Sequence, residues 1–389
     1  MKTKLGFVIA ALLYAGAALG QTPVATIPFE QYGDHSFIKV KINGSEELDF
    51  IFDTGDGLTV LNIEKAKELG MESGSDATTM SAEGTISGKL VKHNELTVGG
   101  APIHNIQVYE TSLLHLEISI GKDIDGIIGY DILKNYVVSM DYDQMQIKLY
   151  NASGYTYQGL GKSFDINLTS YIPHIPASIV LQNGETVKGE FFIDTGAKAT
   201  VDFNTPFVEA NKLASKVGDS YIYLVAGLGQ KEYEHHRGLV KSFSFADFSF
   251  SDMPVGLSHA TSGIQNHKKV AGIIGSGILR RFNIVYDYHS KKMYWEKNKS
   301  YEDNFRINSS GLELQLSEDK TKVLVHKVFD NSPASELGVK VGSELVSVNG
   351  EKATTIGLAE LRKTLRQTGE TLQLVIDGQS IDLTLRAML

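Results

Sequence analysis

No cysteine occurs in the 389 residues, which excludes a disulfide framework and a cysteine-linked lipid anchor. A chain of this length can bury enough apolar surface to fold without staples. Basic residues number 37 against 46 acidic ones, for a net charge of −9. There is no basic stripe, so nucleic-acid partners are not expected. Past residue 20 no apolar run is long enough to cross a bilayer, and no membrane span is expected in the mature chain. The first twenty residues differ. Lys2 and Lys4 precede an apolar stretch from Leu5 to Ala18, and Ala18-Leu19-Gly20 supplies small residues before Gln21. That order is a secretory signal peptide, and the run is short for a transmembrane anchor. The expectation is an exported chain, periplasmic or secreted.

What the chain does contain is a long-range repeat. Phe50-Ile51-Phe52-Asp53-Thr54-Gly55 returns as Phe191-Phe192-Ile193-Asp194-Thr195-Gly196. Asn43-Gly44 and Asn183-Gly184 precede the two copies between apolar-alternating runs, as tight hairpin turns do. Gly126-Ile127-Ile128-Gly129 and Gly272-Ile273-Ile274-Gly275 follow them, and then Met140-Asp141-Tyr142 and Tyr286-Asp287-Tyr288. Between the landmarks lie two Gly-punctuated stretches, Ser81 to Gly88 and Val225 to Gln230. Shared landmarks in one order and at near-equal spacing indicate two copies of one fold. A charged residue ending an apolar strand is costly to bury. Two such carboxylates, one from each copy, can meet and share a proton.

Each half resembles a retropepsin-type aspartic peptidase lobe, over roughly residues 30 to 298. The resemblance implies a mainly β fold: two tandem acid-protease β-barrel lobes forming a pseudo-dimer within one chain. It assigns catalysis to Asp53 and Asp194. Thr54 and Thr195 would brace the two loops, and Gly55 and Gly196 would let the backbones approach. Gly84 and Thr85, and Gly227 and Leu228, would belong to two mobile flaps over an extended peptide. The expected organisation is a signal peptide over 1–20, a first lobe over 21–155, a second over 156–300 and a further domain over 301–389.

The last segment reads differently from the lobes. Val323 to Val328 alternates as a strand, and Ser332-Pro333-Ala334 opens a short helix ending near Gly338. Leu345-Val346-Ser347-Val348-Asn349-Gly350 follows. This resembles a PDZ domain, a small partly open α+β barrel that binds peptides. The resemblance places the peptide-binding loop and strand at Gly311, Leu312, Glu313 and Leu314, and the groove helix at Thr354 to Gln367 with Leu358, Leu361 and Leu365 inward. A C-terminal peptide is the implied ligand. The polar stretch from Asn298 to Asn304 reads as a linker.

The implied reaction is peptide-bond hydrolysis on protein or peptide substrates. One Asp draws a proton from water while the other, protonated, bonds the scissile carbonyl. No metal and no other cofactor is required. Two close carboxylates do not both ionise cheaply, so the pair titrates as a unit, with a bell-shaped pH profile expected on the acid side of neutral. One position departs from the family pattern. Asp56 follows the first Asp-Thr-Gly, where Ala197 follows the second. Asp56 either raises the pKa of the pair, or points outward, or marks a lobe drifted from catalysis. The alternative function is a catalytically inactive, peptide-binding scaffold with the same fold. A monomer is expected, and an intermolecular pairing of lobes is the alternative. Gly272-Ile273-Ile274-Gly275-Ser276-Gly277 lacks nucleotide-loop spacing. Glu232, Glu234, His235 and His236 read as solvated loop residues, and Trp295 as packing.

Overall fold

The computed structural model describes residues 21–71, 74–82, 84–229, 231–305 and 307–389. The signal peptide expected over 1–20 lies outside them, as do Glu83 and Gln230 of the two expected flap stretches. Two eight-stranded sheets share one strand order. In the first it runs Glu30–Tyr32, His35–Ile42, Leu48–Phe52, Gly126–Ile128, Thr59–Asn62, Ala101–Thr111, Thr85–Val98, Ser75–Met80. In the second it runs Asn167–Thr169, Ile172–Val180, Thr186–Ile193, Gly272–Ile274, Val201–Phe203, Phe248–Ser258, Tyr233–Phe245, Tyr221–Val225. Each sheet curls on itself through one further pairing, 40–42 with 96–98 and 178–180 with 242–244.

The central strands explain the repeated apolar run. Leu48–Phe52 lies between an antiparallel neighbour and a parallel one, with Phe50 facing Gly126 and Phe52 facing Ile128. Its end, Phe50-Ile51-Phe52, is covered on both faces, so it carries consecutive apolar residues rather than a period-two pattern. The parallel strand needs glycine opposite Phe50, because a Cβ at Gly126 would lie 2.3 Å from that ring. The second lobe repeats the pairing, Phe191 with Gly272 and Ile193 with Ile274.

A six-stranded sheet joins the lobes. Its order is Ala25–Pro28, Gln146–Tyr150, Val137–Asp141, Phe282–Asp287, Lys292–Lys297, Lys162–Asp165. The seam lies where Val138 faces Tyr286 and Met140 faces Ile284. One apolar core runs through both lobes and this sheet, and Trp295 is buried in it against Phe164, Phe245 and Phe282. The C-terminal domain has a core of its own. It pairs Leu312–Leu316 with Val323–Val328 and adds a four-stranded sheet from Leu345–Val348, Glu351–Lys352, Thr371–Ile376 and Gln379–Thr384. Among the described residues, no helix is long and apolar enough to cross a membrane.

Several local expectations are corrected. Asn43 and Gly44 both take positive φ, 48° and 78°, but at the second hairpin only Gly184 does, at 86°. There Leu181 N–H bonds Glu185 O and Gly184 N–H bonds Leu181 O, a longer turn that leaves Asn183 in ordinary backbone. The groove helix is two short ones, Ala353–Ile356 and Leu358–Thr364, broken at Gly357 with φ 79°. Leu358, Leu361 and Leu365 still point into the core. The 298–304 stretch is anchored rather than loose: Tyr301 packs on Phe250 and Phe282, and Arg281 bonds the carbonyls of Ser300, Tyr301 and Asp303. His235 and His236 stand on the Tyr233–Phe245 strand, not on a loop. His235 is fully buried, with Nε2 3.0 Å from Gln265 Oε1 and Nδ1 3.7 Å from Asp202.

Candidate active site

The two Asp-Thr-Gly loops meet at the base of a cavity of about 1370 Å³. Each follows a buried parallel strand, and each is held from below by the Gly-Ile-Ile-Gly segment of its own lobe. Asp53 N–H donates to Ile128 O at 2.9 Å and Asp194 N–H to Ile274 O at 3.0 Å. Gly129 is required there, since a Cβ would lie 1.7 Å from Asp53 O.

The threonines cross between lobes. Thr54 Oγ1 donates to Ile193 O at 2.8 Å and accepts from Thr195 N–H at 3.1 Å. Thr195 Oγ1 donates to Phe52 O at 2.9 Å and accepts from Thr54 N–H at 3.0 Å. This reciprocal set fixes the separation of the loops and so of the carboxylates. The Asp53 and Asp194 carboxyls lie close enough that each acts on the other's ionisation. Each also lies over the glycine of the opposite loop: a Cβ at Gly55 would sit 2.5 Å from Asp194 Cγ, and one at Gly196 would sit 2.1 Å from Asp53 Oδ2. Asp53 Oδ1 accepts from Gly55 N–H at 2.7 Å, and Asp194 Oδ1 accepts from Gly196 and Ala197 N–H, both at 2.9 Å.

Burial, and then the neighbouring Asp56, push the Asp53 carboxyl up. Burial, and then Asp53, push Asp194 up. Like charges in a shielded site favour one retained proton between them. Asp56 does not point outward. It lines the cavity, its Oδ1 accepts from Leu58 N–H at 3.1 Å, and its Oδ2 is buried without a hydrogen-bond partner among the described residues. Burial raises its carboxyl to about 7, with Asp194 and Asp131 adding to the rise.

Both expected flaps are hairpin tips, and both are closed onto the opposite lobe. The first joins Ser75–Met80 to Thr85–Val98, with Thr85 paired to Met80 and Gly84 at φ 148°. Its Ser81 O and Ala82 O accept from Ile264 and Gln265 N–H of the second lobe, at 3.1 and 3.2 Å. The second joins Tyr221–Val225 to Tyr233–Phe245. Gly227 O lies 3.0 Å from His115 Nε2 of the first lobe, and Leu228 packs on the cluster around Phe37, Leu113 and Ile120.

The residues expected to bind a terminal peptide stand against this second flap. Glu313 lies beside Leu224 with its Oε2 buried and without a hydrogen-bond partner among the described residues, Tyr221 stacks on Phe329 at 4.6 Å, and His326 pairs with Glu232 at 2.7 Å. Gly311 has φ 82° and packs on Ser332. Its N–H donates to Asn308 Oδ1 at 2.8 Å, and Leu312 N–H donates to Ser310 Oγ at 3.0 Å. Leu312 and Leu314 are core residues, and Leu314 O accepts from Arg362 at 2.7 Å. Arg362 also bonds Ser119 O and Ile120 O of the first lobe. The roles of His115 and Arg362 in this neighbourhood had no motif to signal them. For Lys198 a faint signal exists: it occupies the position that Gly57 holds in the first copy.

Residues 38–132 match the aspartyl protease family, and residues 300–377 match the PDZ domain. The first span runs from the hairpin before Asp53 through the first flap to the Gly126-Ile127-Ile128-Gly129 strand. The second lobe's likeness to it is carried by the shared strand order and the Asp194 loop. No curated protein matches the chain.

Proposed function

We propose that this chain, which carries an aspartyl protease domain and a C-terminal PDZ domain, is an exported endopeptidase acting through Asp53 and Asp194. The observation that supports it most is the close approach of those two carboxyls, each seated over the other loop's glycine. With one proton shared, the ionised member takes a proton from water and the protonated member bonds the scissile carbonyl oxygen. The water oxygen adds to the carbonyl carbon, giving a tetrahedral diol. The proton then passes to the departing amine as the C–N bond breaks. Closed flaps exclude bulk solvent, and their opening admits the polypeptide. The active unit is one chain, because both loops come from it. The PDZ domain docks a substrate or partner peptide. Export rests on the basic-apolar-small order of the first twenty residues, and the compartment is periplasmic or extracellular.

The test is hydrolysis of casein and of a mixed peptide library by the mature chain between pH 4 and 7. Cleavage that disappears in both Asp53→Asn and Asp194→Asn supports the assignment. Cleavage that survives either substitution overturns it, and peptide binding without cleavage at any pH makes the chain a binding scaffold.

A further inference from the structure

The two loops that carry the dyad are twins in backbone but not in charge. Where the first continues Asp56-Gly57, the second continues Ala197-Lys198. An acid therefore lies beside Asp53, and an ammonium stands past Asp194, lining the same cavity. Lys198 Nζ donates to Ser119 Oγ at 3.3 Å. Of the acids that act on it, Asp34 is already paired, with Arg280 at 3.0 Å and Arg366 at 3.6 Å, while Glu313 has a buried Oε2 without a hydrogen-bond partner among the described residues and a carboxyl that burial pushes up.

Around this wall Lys198, Arg280, Arg362 and Arg366 outnumber Asp34 and Glu313. Arg362 makes its hydrogen bonds to neutral carbonyls rather than to a carboxylate. Burial, and then Arg362, lower Lys198 to about 8, although its side chain remains open to the cavity. Among the described residues, the cavity lining as a whole holds ten acids to seven Lys and Arg, so the surplus of cations is local to this wall, and a partly shielded wall of that kind favours an anionic guest over water alone. The cavity extends from the dyad to the Leu312–Leu316 strand and to the Arg362 helix. On that side, the loop amides that a PDZ fold would offer to a terminal carboxylate are held by Asn308 and Ser310. A carboxylate arriving there meets Lys198.

We propose that Lys198 forms a subsite for a carboxylate of the bound polypeptide, an acidic side chain or a free C-terminus, on the side of the scissile bond that faces the PDZ domain. This rests on the endopeptidase reading for the position of that bond, but the carboxylate preference is a matter of binding and survives without hydrolysis.

Matched peptides decide it. One series carries Glu or Gln at each position around the cut with both ends blocked. The other carries a free or amidated C-terminus. Cleavage by the full mature chain is followed as kcat/KM, and binding of the same peptides to the uncleaving Asp194→Asn chain is followed by calorimetry at pH 6. The wild type is expected to favour the carboxylate member about tenfold or more. Lys198→Gln should bring that ratio close to one, and Lys198→Glu should turn the preference toward a Lys-bearing peptide. A merely structural role would lower both members of each pair alike. A preference in the first series assigns the subsite to an acidic residue, and one in the second assigns it to the chain end. A binding ratio of one before substitution, or a ratio that Lys198→Gln leaves unchanged, overturns the proposal. If nothing is cleaved yet binding discriminates through Lys198, the endopeptidase reading falls and the subsite stands.

Discussion

Replacing Thr54 with valine keeps the shape of the side chain and removes its hydroxyl. Two bonds vanish, to Ile193 O and from Thr195 N–H, at 2.8 and 3.1 Å. Thr54 is 1% exposed, so water does not replace them. A buried backbone group left without a partner costs about 1–3 kcal/mol. Two such groups put the loss at about 2–6 kcal/mol, a large fraction of the roughly 5–15 kcal/mol that holds a domain folded. Thr195→Val removes the mirror pair and should cost a similar amount. Thr54→Ser keeps the hydroxyl and should stay within about 1 kcal/mol of wild type. The double valine variant should cost less than the sum, since a loop already freed no longer holds its partner in place. Urea titration reads this directly through Trp295, the single tryptophan, which is buried near the seam between lobes. A single valine variant that loses less than about 1 kcal/mol, or a strictly additive double variant, would refute the idea that these hydroxyls set the spacing of the carboxylates.

Asp56 pushes Asp53 up only while ionised, and it holds its proton up to about pH 7; below that pH Asp56→Asn exchanges one neutral polar group for another, so the acidic limb of kcat/KM should move by less than about half a unit, and a larger move to lower pH would show that Asp56 is ionised beside the dyad. A carboxyl whose folded pKa is raised weakens the fold as pH climbs from its unfolded value toward the folded one. For Asp56 that window runs from 3.8 to about 7, so Asp56→Asn should be the more stable protein at pH 8 and no more stable at pH 3.5, measured by thermal unfolding. Gly196→Ala drives a methyl into Asp53, and kcat/KM should fall about 10²-fold or more; retention of activity would show that the carboxylate is not held there. Glu232 beside His326 raises the imidazole above its ordinary range. Their ion pair is therefore complete below about pH 6.5 and is lost as pH rises through that higher folded value. Hydrogen exchange of the Tyr221–Val225 amides, corrected for intrinsic rate, should be slower at pH 5.5 than at pH 8.5, and His326→Gln should erase the difference.

Much is legible in the sequence itself because duplication makes a sequence its own comparison. The second Asp-Thr-Gly turned a common turn tripeptide into a matched pair, and the two Gly-Ile-Ile-Gly strings marked the strands beneath. Those residues are dictated locally: a strand buried on both faces must be apolar throughout, and a glycine opposite Phe50 or over Asp53 has no substitute. The inward leucines of the last domain belong to the same class, since a helical stripe is a short-range pattern. The break at Gly357 was not readable, because a glycine within a helical pattern is tolerated as often as it ends one.

The chain's linear order thus determined that two like lobes exist, which acids they present, and that a third domain follows. Only the tertiary structure decided that Asp56 turns inward, that each flap rests on the opposite lobe, and that the terminal domain leans on the second flap and closes one end of the cavity. Lys198 shows why. Its meaning depends on Arg362 and Glu313, more than a hundred residues away, and on Asp34 from the other lobe. Charge acts through space, and no spacing along the backbone encodes which distant groups will share one shielded cavity.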